Sequence, residues 1–190
     1  MLFRSPIDTY KREVDELAEG IYNLPWGVLA TTAREFGIRN STLMALMPSE
    51  TSAQISNATN GIEPPRSLVS VKQSKDGVLK QVVPEIRKLR KKYDLLWDQE
   101  SPEGYLKIVA VLQKFIDQGI SVNTSYNPKF YEDEKIPMSE MLKHLLMFYK
   151  YGGKQLYYFN TFDGAGEIEI KQPELEAGKV DDEDCEACKI

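Results

Sequence analysis

The sequence predicts an α/β fold with mostly parallel strands. Short strand-like runs at 43–47, 120–126 and 155–161 are separated by longer segments with helical periodicity. Strands that alternate with helices in this way pair in parallel through helical crossovers. Two further runs, 68–73 and 78–83, flank an Asp-Gly turn, which is a strong signal for an additional β-hairpin.

Six segments have the 3.6-residue periodicity of an amphipathic helix. They are residues 5–21, 25–36, 52–58, 84–98, 101–118 and 137–149. Gly37 and Gly119 end the second and fifth helices, and Gly152-Gly153 ends the last. The second helix is expected to bury Trp26, Leu29, Ala33 and Phe36, and the fifth Leu106, Val109, Leu112, Phe115 and Ile116. The last is expected to bury Met138, Met141, Leu142, Leu145, Leu146, Phe148 and Tyr149.

Composition and charge exclude several classes of function. The chain has 190 residues, of which 42% are hydrophobic, which is enough for one domain with a core. Seven acidic residues and Lys179 give residues 174–188 a net charge of −6, so the remainder carries +1 of the total −5. A nearly neutral body argues against nucleic-acid binding. Five basic residues within 87–92 fit a solvated helix face better than a nucleic-acid site.

The sequence also bears on location and metal binding. We find no apolar run of about 18 residues, and the first residues lack the apolar centre of a signal peptide, so we expect a cytoplasmic protein that is not in a membrane. The only cysteines, Cys185 and Cys188, and the single His144 do not suffice for a four-ligand zinc site. No metal site is therefore predicted.

One stretch organises the rest of the chain. It consists of the run 43–47, whose five apolar residues predict a short buried strand, and the polar turn after it. Pro48 ends the strand because it has no N–H group for a ladder, and Ser49 is a good N-cap for the next helix. A helix N-terminus presents free N–H groups and a partial positive charge, which suit a phosphate. The hydroxyl groups of this turn belong to Ser49, Thr51 and Ser52. Glu50 would repel a phosphate unless it points away, and a plain capped helix fits the same residues.

The turn is also where a family resemblance begins. Pro48-Ser49-Glu50-Thr51-Ser52, the following segment 54–64, Tyr157-Tyr158 and the cysteine tail resemble the C-terminal part of the large (alpha) subunit of aerobic class I ribonucleotide reductase. The resemblance covers residues 2–190. It implies that Ser49, Glu50, Thr51 and Ser52 bind the diphosphate of a nucleoside diphosphate substrate.

The resemblance also implies a larger architecture. The three predicted strands would belong to a ten-stranded α/β barrel whose other strands lie upstream, so residues 1–162 would form a partial barrel with open edges. Residues 163–190 turn polar and acidic, which predicts a flexible tail. The chain is expected to comprise these two regions, the C-terminal portion of a reductase barrel and a redox-active tail.

Tyr157 and Tyr158 form the second candidate site. Tyrosine favours strands and cores, so a packing role fits the residues alone. Neighbours on a regular strand point to opposite faces, and two adjacent tyrosines that stack must therefore lie where the pleat is broken, near a strand end. The resemblance implies that this pair relays a radical from the small (beta) subunit to the active-site cysteine. The di-iron tyrosyl-radical centre would belong to that small subunit, and this chain would bind no cofactor.

Cys185 and Cys188 form the third candidate site. Their spacing is typical of a redox pair or of half a metal site, and an incidental terminal pair also fits. The resemblance implies that they re-reduce an active-site disulfide and are themselves reduced by thioredoxin or glutaredoxin. The aerobic bacterial pattern has a longer gap between these cysteines, and the shorter spacer is expected to alter the redox potential.

The chain lacks other parts that the family's reaction requires. No cysteine precedes Cys185, whereas the family needs a radical-forming cysteine and two further active-site cysteines. We therefore expect the C-terminal component of a split large subunit, active only with a separate N-terminal chain and the small subunit. The alternative is a non-catalytic binding or regulatory module that retains the fold. A stand-alone thioredoxin-like enzyme is disfavoured, because its cysteine pair would lie between a strand and a helix.

Overall fold

The computed structural model describes residues 12–17, 23–40, 42–59, 61–74 and 77–163. Its α-helices are α1 (Trp26–Phe36), α2 (Glu50–Ile55), α3 (Ile86–Leu89), α4 (Glu103–Gln113) and α5 (Met138–Lys150). Its strands are β1 (Val69–Ser74), β2 (Gly77–Val82), β3 (Thr124–Tyr126) and β4 (Phe159–Thr161). Short 3₁₀ turns cover Arg12–Glu16, Arg90–Lys92, Leu96–Asp98, Pro128–Phe130 and Glu132–Glu134.

The hydrophobic core is built around α4, which contacts both α5 and the 3₁₀ turn Arg12–Glu16. Leu106 and Val109 of α4 are fully buried against Val122 and Phe148. Each such side chain contributes about 1.5–3 kcal/mol through burial. The fifth predicted helix is thus confirmed together with most of its inner face.

A buried glutamine ends α4 earlier than predicted. The Gln113 amide donates to the carbonyls of Ile116 (2.7 Å) and Gln118 (2.8 Å) and accepts from the Ile120 N–H (3.2 Å). These bonds satisfy backbone groups where the chain reverses after the helix. The helix therefore stops at Gln113, and Phe115, which was expected to be buried, is exposed.

Parallel pairing of the last two predicted strands is confirmed. β3 pairs with β4 in parallel, with Thr124 opposite Phe159 and Tyr126 opposite Thr161. α5 lies between the two strands in the sequence, so the unit is a strand, a helical crossover and a parallel strand. The assigned strands are shorter than the predicted runs 120–126 and 155–161 because the ladder is interrupted on their N-terminal side.

The predicted buried strand 43–47 is wrong in two respects. The segment is extended and runs parallel to residues 118–121, with the Met44 and Leu46 carbonyls accepting from the Gln118 (3.2 Å) and Ser121 (3.1 Å) N–H groups. The two acceptors, Met44 and Leu46, are two positions apart, but the two donors, Gln118 and Ser121, are three positions apart. The spacing does not match, so no regular ladder forms. Its apolar side chains are mostly exposed, because nothing in the described residues covers them.

The hairpin prediction is confirmed. β1 pairs with β2 antiparallel, from Val69 opposite Val82 to Ser74 opposite Gly77. The two central residues of its turn, 75–76, lie outside the described residues. The hairpin shows that a local turn signal and two short β-favouring runs were sufficient to define this unit.

The predicted helix 84–98 is wrong as a continuous element. It is replaced by α3, two 3₁₀ turns and an extended residue, Tyr93, whose hydroxyl donates to the Pro84 carbonyl (2.8 Å). Five basic side chains within six positions place like charges three and four residues apart, which disfavours an α-helix. These basic side chains are exposed, as expected for a solvated surface.

Two helices expose apolar faces that were expected to be buried. α1 is confirmed, with Gly37 at φ 73° after it, but Leu29 and Phe36 are exposed and Ala30 is the buried residue. α5 is confirmed, yet its buried residues are His144 and Phe148. The exposed row of α5 consists of Met138, Leu142, Leu145, Leu146 and Tyr149, at 44–65% exposure.

The fold is therefore α/β in part, with helices and two small two-stranded sheets. The described residues contain no closed barrel. Of the first predicted helix, 5–21, residues 12–16 form a 3₁₀ turn and most others lie outside the described residues. The proposed boundary between residues 1–162 and 163–190 stays a prediction.

Candidate functional site

The predicted anion loop lies at the start of α2. The helix begins at Glu50 rather than Ser52, so Ser49 is at the N-cap position, and its carbonyl accepts from the Ala53 N–H (2.8 Å). The exposed Ser52 hydroxyl donates to the same carbonyl (3.0 Å). The Ser52 hydroxyl must therefore rotate to donate to a ligand, and its role in substrate binding stays a prediction. Glu50 and Thr51 form the first turn of the helix.

An aspartate holds the chain that leads to this loop. The Asp117 carboxylate accepts from the backbone N–H groups of Leu43 (2.6 Å) and Met44 (2.8 Å). Burial acts to raise the pKa of Asp117, but the backbone hydrogen bonds from Met44 and Leu43 outweigh it and hold the pKa below its usual value. The segment before the loop is thus fixed by a charged side chain in place of a strand ladder.

Tyr157 and Tyr158 lie immediately before β4, and their rings are in contact. Their centroids are 4.2 Å apart with an interplanar angle of 56°. Both side chains are more than half exposed, at 59% and 58%. A hydrogen bond with the Tyr157 phenol raises the pKa of Tyr158. The prediction that the pair lies outside the regular part of a strand is confirmed, although the rings are tilted rather than stacked in parallel.

The segments that carry the loop and the tyrosine pair lie on opposite sides of one middle segment, residues 118–126. The middle segment bonds to residues 43–47 through the Ser121 N–H, and to the tyrosines through the Val122 carbonyl, which accepts from the Tyr157 N–H (2.6 Å). The two outer segments are thus separated by two strand spacings, or about 10 Å. The tyrosines lie at the level of Val122–Thr124, and on the other side the last bonded residue, Leu46, precedes Ser49 by three positions.

Asn123 lies between these two parts and was missed by the sequence reasoning. Its Oδ1 accepts from the Tyr158 N–H (3.1 Å), and its Nδ2 donates to the Glu63 carboxylate (2.6 Å). Burial raises the pKa of Glu63, with the Asn123 amide and Arg66 acting in the opposite direction. Burial, and then the Glu63 carboxylate, raise the pKa of Tyr105 nearby. Its strand-like run, 120–126, also contains Ser121, Thr124 and Ser125, so no signal in the sequence distinguished Asn123.

Trp97 connects three segments on the flank of this site. The Asn127 side chain donates to the Trp97 carbonyl (2.6 Å). The Phe162 ring lies 5.2 Å from the indole, and the Arg66 guanidinium lies 5.9 Å from it. Arg66 thus packs over an aromatic ring, where a cation is favourably placed.

A cavity of about 680 Å³ lies elsewhere, between the 3₁₀ turn Arg12–Glu16 and α5. Its lining includes Glu13, Glu16, Leu142, Lys143, Leu146 and Tyr151. None of the predicted site residues lines it. Ser49, Ser52 and both tyrosines are exposed on this chain.

Comparison with known proteins identifies the family. The family model described as ribonucleotide reductase, barrel domain, matches residues 4–159. The chain belongs to the ribonucleotide reductase family. The ribonucleoside-diphosphate reductase subunit alpha of Haemophilus influenzae is 57% identical over 185 residues, which are 97% of this chain and 24% of that protein. Subunit alpha of reductase 1 of Escherichia coli is 53% identical over 187 residues, again 97% and 24%.

The match extends to a bacteriophage enzyme. Subunit alpha of the phage T4 ribonucleoside-diphosphate reductase is 45% identical over 187 residues, with the same 97% and 24% coverage. This ribonucleotide reductase chain therefore spans about a quarter of the length of the relatives it matches, and it corresponds to a C-terminal part of the alpha subunit. The predicted family is confirmed.

Two further predictions for this reductase chain concern the cysteine pair and membrane-spanning helices. Cys185 and Cys188 lie outside the described residues, so their redox role stays a prediction. Within the part of the chain that the structure describes, no helix is long and apolar enough to span a membrane.

Proposed function

We propose that this chain is the C-terminal component of a split ribonucleoside-diphosphate reductase large subunit. The complete enzyme would replace the 2′-hydroxyl of a ribonucleoside diphosphate with hydrogen. In this proposal the chain contributes the loop Ser49 to Ser52 for the substrate diphosphate, Tyr157 and Tyr158 for radical transfer, and Cys185 and Cys188 for reduction. Positioning and electron delivery, rather than acid–base catalysis, are its contribution.

The contact between the two tyrosine rings is the observation that carries the proposal. In a relay step, the phenoxyl radical of one tyrosine takes one electron and one proton from the hydroxyl of the other, whose O–H bond breaks as the new one forms. The two groups are chemically alike, so the step has little driving force in either direction and runs both ways. Centroids 4.2 Å apart and a phenol–phenol hydrogen bond suit such a transfer.

The start of α2 supports the substrate role. Backbone N–H groups of the first helical turn have no partner within the helix and favour an anion. The segments that carry the loop and the tyrosine pair flank the same middle segment, residues 118–126. A diphosphate bound at Ser49 to Ser52 would therefore hold its nucleoside close to the end of the relay.

Exposed apolar surface supports the need for a partner chain. Leu43, Met44, Met47, Phe36 and the outer row of α5 are all large apolar side chains exposed on this chain. Patches of this kind mark surfaces that other polypeptides cover. We propose that an N-terminal chain carrying the active-site cysteines covers part of it. The small subunit would supply the radical from its di-iron centre.

The cysteine pair would close the reaction cycle. Each turnover oxidises two active-site thiols to a disulfide. The Cys185 and Cys188 thiols would reduce it by exchange, becoming a disulfide that thioredoxin or glutaredoxin reduces in turn. Two electrons and two protons pass at each exchange, so the cycle balances.

Reconstitution tests the proposal. The full chain is mixed with a chain carrying the rest of an alpha subunit and with the small subunit, and deoxyribonucleotide formation is measured. The mixture should be active, and neither large-subunit chain alone should be. Tyr157→Phe and Tyr158→Phe should abolish turnover while nucleoside diphosphate binding persists. Tyr93→Phe, which removes a phenol outside the pair, is the matched control and should retain activity.

The cysteines require a separate arm. Cys185→Ser and Cys188→Ser should lose turnover with thioredoxin but regain it with a small dithiol that reaches the active-site disulfide directly. The tyrosine variants should gain nothing from the dithiol. Full turnover in either tyrosine variant would refute the relay, whereas binding of the partner chain without any turnover would favour the non-catalytic module.

A further inference from the structure

The tyrosine pair lies at a one-residue slip in the parallel pairing. With Thr124 opposite Phe159, a regular ladder would bring the Tyr158 N–H to the Val122 carbonyl. That carbonyl instead accepts from the Tyr157 N–H (2.6 Å), while the Tyr158 carbonyl still accepts from the Thr124 N–H (2.9 Å). One extra residue is thus accommodated between the two bonds, as in a β-bulge.

The slip explains how adjacent phenols come into contact. Successive side chains of a regular strand point to opposite faces, which would separate the two rings. The bulge re-aims one of them, but it also leaves the Tyr158 N–H without its ladder acceptor. An unpaired backbone N–H in a partly buried position costs about 1–3 kcal/mol. The bulge therefore needs a substitute acceptor.

The Asn123 side chain is that substitute. Its Oδ1 accepts from the Tyr158 N–H at 3.1 Å, and the residue is only 9% exposed. The amide orientation is fixed chemically, because a carboxylate at Glu63 accepts and cannot donate. The Nδ2 group must therefore face Glu63, at 2.6 Å, and the oxygen must face Tyr158.

Glu63 in turn belongs to the segment that follows α2. Asn123 thus joins the segment after the candidate diphosphate loop to the backbone of the tyrosine pair. Asparagine is suited to this place because it offers one acceptor and one donor on a short side chain. Aspartate lacks the donor, and leucine of similar size lacks both.

We propose that Asn123 is a positioning residue for the tyrosine pair, holding the bulge that brings the two phenols together, and that Glu63 fixes its orientation. The effect of Asn123 on turnover rests on the proposed function, whereas its effect on the geometry of the tyrosine pair does not.

The test measures the phenol pKa of residue 158 in the full chain, with 3-fluorotyrosine incorporated there and followed by ¹⁹F NMR. Tyr157→Phe removes the phenol–phenol hydrogen bond and gives the pKa of residue 158 without it, which is the limiting value. Asn123→Leu should move the pKa at least halfway from the unsubstituted value toward that limit. Asn160→Leu is the matched control, since this asparagine of β4 faces the Ser125 hydroxyl (3.5 Å), and it should cause no shift.

A second pair of variants keeps the test decisive if Asn123→Leu fails to fold. Glu63→Leu leaves Asn123 in place but frees its amide to rotate, and it should shift the pKa in the same direction. Glu63→Gln retains an acceptor for the Asn123 Nδ2, and the pKa of residue 158 should keep its unsubstituted value. Folded Asn123→Leu and Glu63→Leu chains that both keep the unsubstituted pKa would overturn the proposal.

Turnover then separates this inference from the proposed function. In the reconstituted enzyme, Asn123→Leu should reduce kcat at least tenfold and leave KM for the nucleoside diphosphate within about twofold. A shifted pKa together with a reconstituted enzyme that is inactive without any substitution would count against the proposed function and leave Asn123 as the positioning residue. A normal kcat together with an unshifted pKa would refute the role of Asn123.

Discussion

The inner face of α5 packs into the core, whereas its outer face, which is at least as apolar, lies exposed. His144 on the inner face is 1% exposed, while the outer row of Met138, Leu142, Leu145, Leu146 and Tyr149 remains accessible. A helix that is apolar on both sides requires two partners. This chain supplies one of them through α4, and the other face supports the proposal that the chain works against another polypeptide.

Truncating one leucine in the core and one on the outer face should give the largest contrast. Leu106→Ala is expected to lower the free energy of unfolding by about 3 kcal/mol, because it leaves a cavity in a fully buried site. Leu145→Ala, on the outer face of α5, should change it by less than about 0.5 kcal/mol. Urea unfolding followed by circular dichroism measures both. Equal losses would show that the outer face is buried within the folded chain.

Gly153 tests how closely the end of α5 is packed. Its N–H donates to the Phe148 carbonyl (2.9 Å), and a Cβ at this position would overlap the Phe148 ring. Gly153→Ala is therefore expected to cost about 2 kcal/mol by overpacking. Gly104→Ala, in the first turn of α4 where a Cβ meets nothing, should be neutral or slightly stabilising. Thermal unfolding of both variants should separate them clearly.

Asp117 tests whether the segment before the candidate loop depends on one carboxylate. Asp117→Ala removes the acceptor of the Leu43 and Met44 N–H groups, and their hydrogen exchange should accelerate by about tenfold or more. Exchange within α4 should not change. Asp117→Asn, which keeps one oxygen acceptor, should show an intermediate rate. An unchanged rate at both amides would contradict the anchoring role.

The smallest expected effect is the pH dependence set by His144. Burial lowers the pKa of His144 from its usual 6.5, with Lys143 acting in the same direction and Glu140 and Glu103 opposing it. Neutral His144, whose Nδ1 lies 3.0 Å from the Tyr126 hydroxyl, is thus favoured in the folded state. Its contribution is present above pH 6.5 and is lost as the pH falls through the lowered pKa.

Unfolding measured from about pH 7.5 to about pH 5.5 checks this sign. The native chain should lose stability on acidification, and His144→Gln should lose less over the same interval. A variant with the same pH dependence as the native chain would show that other groups control it.

Local signals in the sequence were sufficient for several elements but not for their surroundings. The hairpin, α1 and α5 were predicted from turn glycines and periodicity, both of which act over a few residues. The prediction of one helix over 84–98 was wrong because like charges and the hydrogen bond between Tyr93 and Pro84 divide the segment. Periodicity also could not tell which face of α5 is buried, since both faces carry apolar residues.

The candidate site likewise combines local patterns, which the sequence shows, with contacts between distant segments, which it does not. Ser49 at a helix start and the adjacent tyrosines were visible in the sequence because each is a local pattern. The role of Asn123 was not visible, because its partners Glu63 and Tyr158 lie 60 and 35 positions away. The one-residue slip that brings the phenols together is likewise a property of the pairing between segments.

Trp97 gives the molecule a built-in optical reporter. Its indole is in contact with Phe162 and lies near the Arg66 guanidinium, and the chain has only one other tryptophan, Trp26. A Trp26→Phe chain would fluoresce from Trp97 alone. Phe162 comes just before the acidic segment 163–190. A displacement of that segment that moves Phe162 would therefore shift or quench the Trp97 emission without any added dye.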